Sequence, residues 1–229
     1  FGLLGMGLNV YNHATINDIL HNINNGILVQ KQACYVGTYT DNSHDLQSCL
    51  MSKAFQDLLN FRLMFLAVYF GVPLARECHL FAQGFVTGEE RAVLQNFFPY
   101  VLLNIGGQVA DEHVQFEVKF NTWLQMVVNR FFVVTAENIT HFQTSTEDIV
   151  NELIRLFGSM QKSSFATQKL SAMLTYFQII TRAGHVSYVN CEHQEKNNKQ
   201  LTKEARFTNH LQYDTSRQIL QTFLRRTYV

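Results

Sequence analysis

The sequence predicts a mainly α protein: a compact bundle of about seven or eight helices around a long central helix, with at most one small β element. Apolar residues recur at steps of three and four along most of the chain, the period of one helix face. Connections between these stretches are short, and only two prolines interrupt 229 residues. Strand-favouring composition is confined to 27–40 and 185–190.

The central helix is expected from Val109 to Val134. Its face carries Val109, His113, Phe116, Phe120, Trp123, Val127 and Val134, with Leu124 and Phe131 beside them. At 1.5 Å per residue this stretch makes a rod of about 39 Å. From Trp123 onward it is apolar nearly all round, which predicts a helix wrapped by others.

In chain order, a short helix is expected over 15–25, with Thr15 as its cap, a stripe of Ile16, Ile19, Leu20 and Ile23, and Gly26 ending it. Ile27 to Thr40 is rich in Ile, Val, Tyr and Thr, which predicts a strand or a hairpin turning near Gln30-Lys31-Gln32. Asp41 or Ser43 caps a long helix to about Phe70, with Leu46, Leu50, Ala54, Leu58, Phe61, Phe65 and Val68 as its core stripe; Gly71 and Pro73 stop it. Leu58 to Ala75 is the most apolar window, but Asn60, Arg62, Gly71 and Pro73 favour a buried core helix over a membrane span.

A short helix over 74–83 follows. Thr87-Gly88-Glu89-Glu90 has capping-box spacing and opens a helix that Pro99 should kink or break, before Gly106-Gly107 closes it. A second capping box, Thr144 to Glu147, opens a helix with Ile149, Val150, Leu153, Ile154, Phe157 and Met160. Another starts at Ser163 or Ser164 and carries Ala166, Leu170, Met173, Phe177 and Ile180, with Gly184 after it. Residues 190–200 are polar and read as a loop, and a weakly amphipathic helix runs from Leu201.

A chain of this length can bury a sizeable core without metals or disulfides. One domain over 1–229 is expected, with 136–144 the best place for a seam and 196–229 a basic C-terminal segment. Charged residues make up 16%, against about 25% in typical soluble domains, and 18 Asn, 18 Gln and 19 Phe fill their place. Surfaces covered by partners shed charge and keep aromatics, so this composition favours interfaces. The formal net charge is zero, but unevenly placed: the first 195 residues carry net −5 and the rest +5.

Cys34, Cys49, Cys78 and Cys191 form no CxxC pair and are too sparse for a disulfide scaffold, so reduced thiols are expected, in an intracellular or virion-associated protein. The single sequon, Asn138-Ile139-Thr140, carries no inference of secretion. The chain begins on Phe, which fits processing or a fragment. Its opening FGLLGMGLNV is too short to span a bilayer and reads as a buried extended terminus.

No phosphate-binding loop, dinucleotide fingerprint, zinc-protease motif, nucleophile elbow or EF-hand loop is present. His113 and Glu117 lie one turn apart and could share a metal, but two ligands do not make a site, and no metal or cofactor is expected. Cys78-His79 with Cys191 and His193 supplies zinc-ligand types without zinc spacing. The basic segment offers Lys196, Lys199, Lys203, Arg206, Arg217, Arg225 and Arg226, interleaved with Phe207, Tyr213, Phe223 and Tyr228. Such groups neutralise phosphates and stack on bases, and equally make a solvated helix face or a protein contact.

The expected function is that of a non-enzymatic structural or interaction protein, a subunit of a larger assembly that self-associates or binds protein partners. A viral capsid or nucleocapsid component fits the amide-rich composition. The alternative is a nucleic-acid-binding protein using the basic segment, and a metal-dependent enzyme is third.

Overall fold

A computed structural model describes residues 19–36, 49–50, 53–72, 88–103, 109–129, 132–160 and 167–183. These residues are mainly helical and none of them is in a strand. All fall within one compact unit, Phe1–Val189.

The first helix, α1, departs most from expectation. It has a π-helical part, Leu20–Ile27, continuous with an α-helical part, Leu28–Val36. The strand or hairpin expected from Ile27 is therefore helix as far as Val36. Ile23, Ile27, Lys31 and Tyr35 follow one another at steps of four, and all are fully buried. Packing of that face outweighs the β-propensity of the segment, which is a weak and context-dependent preference. Gly26 does not end the helix either. A Cβ there would meet Lys169 Cδ at 2.5 Å and the His21 carbonyl at 2.9 Å. The glycine makes room for the Lys169 stem, whose ammonium donates to the His21 carbonyl at 3.1 Å.

Helix α2 is Lys53–Tyr69, and Gly71 stops it at a φ of 65°, a left-handed conformation suited to glycine. α3 is Gly88–Gln95 and α4 is Phe98–Leu102, with Pro99 in the first turn of α4. The proline therefore starts a new helix where its missing N–H leaves no bond unmade. α5 is Asp111–Val128 and α6 is Ala136–Phe157, followed by a 3-10 turn, Gly158–Met160. α7, Thr167–Met173, and α8, Tyr176–Ala183, split one expected helix in two. At the break the Thr175 N–H reaches only to Ala172, at 3.1 Å.

The expected central helix is present but shorter. It leaves helical geometry at Asn129, and the next helix begins at Thr135, whose hydroxyl accepts from the Asn138 N–H at 3.1 Å. The segment offered as a seam, 136–144, is thus the opening of a continuous helix. Thr144 is no cap: its hydroxyl lies inside α6 and donates to the Thr140 carbonyl at 3.1 Å. Val134, expected in the core stripe, is exposed.

The core forms where α5 meets its neighbours. α5 packs on α6 and on α4; α1 lies against α3, α6 and α7; α8 packs on α6. Phe116, Phe120, Trp123 and Val127 of α5 are buried as their spacing predicts. Phe116 meets Phe157 edge-on, with ring centroids 5.7 Å apart. Trp123 donates its indole N–H to the Thr146 hydroxyl at 2.9 Å, which satisfies the one polar atom of a buried ring.

Residues 1–18, 37–48, 51–52, 73–87, 104–108, 130–131, 161–166 and 184–229 lie outside the described residues, Thr87, Phe131, Ser163, Ser164 and Ala166 among them. With them lie the cap at Thr15, those at Asp41 and Ser43, the helix over 74–83, the pair Gly106-Gly107, the second strand candidate and the C-terminal helix.

Candidate interaction surface

Polar chemistry inside the bundle centres on Glu117. Its Oε2 accepts from Lys31 Nζ at 2.5 Å and from Gln95 Nε2 at 2.8 Å. Lys31 also donates to Gln95 Oε1 at 2.9 Å, and Gln95 donates to Asn121 Oδ1 at 2.9 Å. The ammonium lies 4.8 Å from the Phe98 ring centroid and 4.9 Å from that of Phe120, close enough for cation–π attraction. Burial lowers the Lys31 pKa from its ordinary value, with Glu117 pulling the other way. Burial also pushes the Tyr35 phenol well above its usual range, and the Glu117 carboxylate adds to the push.

The residues paired in the sequence as metal ligands are thus differently employed. Glu117 is bonded to Lys31 and Gln95. His113 sits between rings, 6.0 Å from Tyr35 and 5.9 Å from Phe157, and burial lowers its pKa. Among the described residues, no three His, Cys, Asp or Glu side chains gather as a metal would need. Lys31, Gln95 and Glu117 are fully buried, so solutes meet them only if α1, α3 and α5 part. The hairpin turn expected near Gln30-Lys31-Gln32 is thus helix, with Lys31 on its buried face. Its signal was the step of four from Ile27 to Lys31 to Tyr35.

A groove of about 550 Å³ lies between α5 and α6. His141, Ser145 and Asp148 line it, but no hydrogen bond joins them. They run along one face of a single helix and do not form a nucleophile–base–acid relay. Arg155 closes one end, held by Glu112 at 2.8 Å and Glu152 at 2.7 Å. The arginine's hydrogen bond holds the Glu112 carboxyl below its usual range. The sequon residue Asn138 donates its amide to the Val133 carbonyl at 2.8 Å, in the first turn of α6.

The surface that stands out is on α2. From Leu63 to Tyr69 this helix is apolar at every position, so spacing alone does not say which side is buried. Leu59, Leu63 and Ala67, at steps of four, face the core. The opposite stripe, expected to be the core face, is outside. Phe61, Phe65, Val68, Tyr69, Phe70 and Tyr100 each expose between 61% and 76% of their surface. The expected core stripe of Phe61, Phe65 and Val68 is corrected accordingly: the helix packs on the core through Leu59, Leu63 and Ala67 instead.

These side chains form one patch. Phe61, Phe65, Tyr100 and Leu103 line a shared groove of about 350 Å³. Phe65 stacks on Tyr69 at 6.3 Å, Tyr69 meets Phe70 edge-on at 5.1 Å, and Phe70 stacks on Phe97 at 5.6 Å. Arg62 is the charged residue in the groove. Its Nη1 donates to the carbonyls of Val101 at 3.0 Å and Leu103 at 2.7 Å. The arginine thus covers carbonyls that the end of α4 leaves unpaired, and fixes Tyr100 and Leu103 beside α2.

Lys196, Lys199, Lys203, Arg206, Arg217, Arg225 and Arg226 lie outside the described residues, as do Cys78, His79, Cys191 and His193. Among the described residues, no helix is long and apolar enough to cross a membrane. The chain matches no protein-family model, no curated protein and no solved structure, so the reading of its function rests on its own residues.

Proposed function

We propose that this chain is a non-enzymatic assembly subunit that binds protein through the aromatic face of α2 and the adjoining Tyr100 and Leu103. One observation carries the reading: a contiguous patch of exposed aromatic and aliphatic side chains whose single arginine is already bonded to backbone. Apolar patches on monomers are typically about 300–600 Å². At about 200 Å² for an aromatic side chain, this one comes to roughly 800–900 Å². Partners remove such surface from water at about 25 cal/mol per Å² before association costs are met. The amide-rich, charge-poor composition agrees with it, since interface cores are depleted in charge and enriched in aromatics.

The test is the size of the native particle. In a gentle extract of its source, the protein should elute well above the 26.4 kDa of one chain. A variant carrying Phe61→Glu and Phe65→Glu should elute near that mass while keeping the wild-type thermal unfolding profile. Identical elution of the two proteins would remove the aromatic face from the account.

A further inference from the structure

We infer that the occupant of the α2 face is a second copy of this chain, paired through a two-fold axis that sets α2 against α2. The inference rests on the reading of that face as a protein contact and adds the identity of the partner. Three features select a copy of the same chain.

The first is area. A stable pair needs about 800 Å² from each partner. The patch of Phe61, Phe65, Val68, Tyr69, Phe70, Tyr100 and Leu103 supplies on the order of that from one side. A two-fold contact uses the same patch twice and meets the requirement with no further surface.

The second is charge. A basic or acidic partner would call for a matching charged rim, yet the groove holds one arginine, and its guanidinium is engaged by the Val101 and Leu103 carbonyls. Like charges facing each other across a two-fold axis repel; the exposed Asp57 lies one turn before Phe61, at the end of the stripe, where an antiparallel pairing centred near Phe65 keeps its two copies apart. The chain as a whole is formally neutral, so its net charge does not oppose the approach of two copies.

The third is shape. The exposed stripe of α2 steps from Phe61 to Phe65 to Val68 and Tyr69, along one side of the helix. Two such stripes can interdigitate as ridges and grooves. The recess between Phe61, Phe65, Tyr100 and Leu103 can receive an aromatic ring from the opposing copy.

Sedimentation equilibrium of the purified full chain, from about 1 to about 100 µM, tests the pairing over the affinities expected of such an interface. Wild type should reach twice the 26.4 kDa chain mass within that range. Phe65→Glu places two carboxylates at one contact and should raise the dissociation constant at least about 100-fold. Phe65→Leu should remain dimeric. Tyr100→Glu, on α4, repeats the test should the α2 variant misfold. A wild-type protein that stays monomeric at the top concentration overturns the pairing, as does a dimer indifferent to both glutamates. If the extract particle nevertheless depends on Phe61 and Phe65, the face binds a different protein and the broader reading stands.

Discussion

Lys31 and Glu117 form an ion pair at 2.5 Å with neither side chain touching solvent, and it joins the first helix to the fifth. The surrounding atoms make this arrangement tolerable. Gln95 bonds both partners and the Phe98 and Phe120 rings lie against the ammonium, while Glu117 Oε1 is buried without a hydrogen-bond partner. A buried pair of this kind is weak evidence for stability in itself, because desolvation offsets the attraction. Removing one partner is a different matter. Lys31→Met should destabilise by about 3–5 kcal/mol in urea unfolding, since Glu117 is left charged and unpaired. Adding Glu117→Leu to Lys31→Met should restore most of the loss, and a double-mutant cycle measures it. Additive losses would mean that the two groups are not coupled.

Gly26 and Lys169 give a second prediction. Alanine is the better helix former by about 1 kcal/mol, so propensity alone favours Gly26→Ala. The structure reverses the sign, because the new methyl would sit 2.9 Å from the His21 backbone carbonyl, which cannot swing aside as the Lys169 stem can. A net loss of about 1–3 kcal/mol is expected, as for overpacked cores. The double variant with Lys169→Ala should recover part of it, leaving the contact with the His21 carbonyl. A stabilised single variant would show that α1 is not π-helical around Gly26.

His113 predicts a pH dependence. Burial holds its imidazole below the ordinary value of 6.5, against weaker pulls from Glu112 and Glu117. As pH falls through about 6.5, the unfolded chain takes up a proton that the folded chain resists. Stability conferred by the neutral ring is complete above that pH and is lost on acidification toward the folded value. One full proton of difference would set the upper bound of that slope at about 1.4 kcal/mol per pH unit. Subtracting the profile of His113→Leu from that of wild type should isolate this slope. Parallel profiles from pH 7 to 5 would contradict it.

The basic segment carries its own test. If Arg225 and Arg226 contact nucleic-acid phosphates, replacing both by Ala should lower affinity. It should also flatten the slope of log affinity against log salt by roughly 0.7–0.9 per lost contact. If the segment serves protein contacts instead, the same variant should reduce particle size and leave nucleic-acid binding unaffected.

What could be read from the sequence was set by how one-sided each helix is. In α5 most polar residues mark the outer face, the buried His113 and Glu117 apart, and the spacing places Phe116, Phe120, Trp123 and Val127 in the core, where they lie. In α2 the positions from Leu63 to Tyr69 are all apolar, and Leu59-Leu63-Ala67 competes with Phe61-Phe65-Val68 on equal terms. Only the neighbours of the helix decide which faces inward. Residues 27–36 combine strand-favouring types with helical spacing, and the tertiary contacts of Ile27, Lys31 and Tyr35 settle the competition. The interaction surface was therefore visible only as composition, an excess of Phe over charge with no address in the chain.

On the proposed function, the aromatic face of α2 is bare in the isolated chain and covered in the working particle. Hydroxyl-radical footprinting measures this directly, by comparing the dilute purified protein with the native particle in extract. The account predicts that Phe61, Phe65, Tyr69 and Tyr100 are labelled readily when dilute and protected several-fold in the particle, while exposed Val133 is labelled alike in both. Equal labelling of the four aromatic residues in the two states would contradict it.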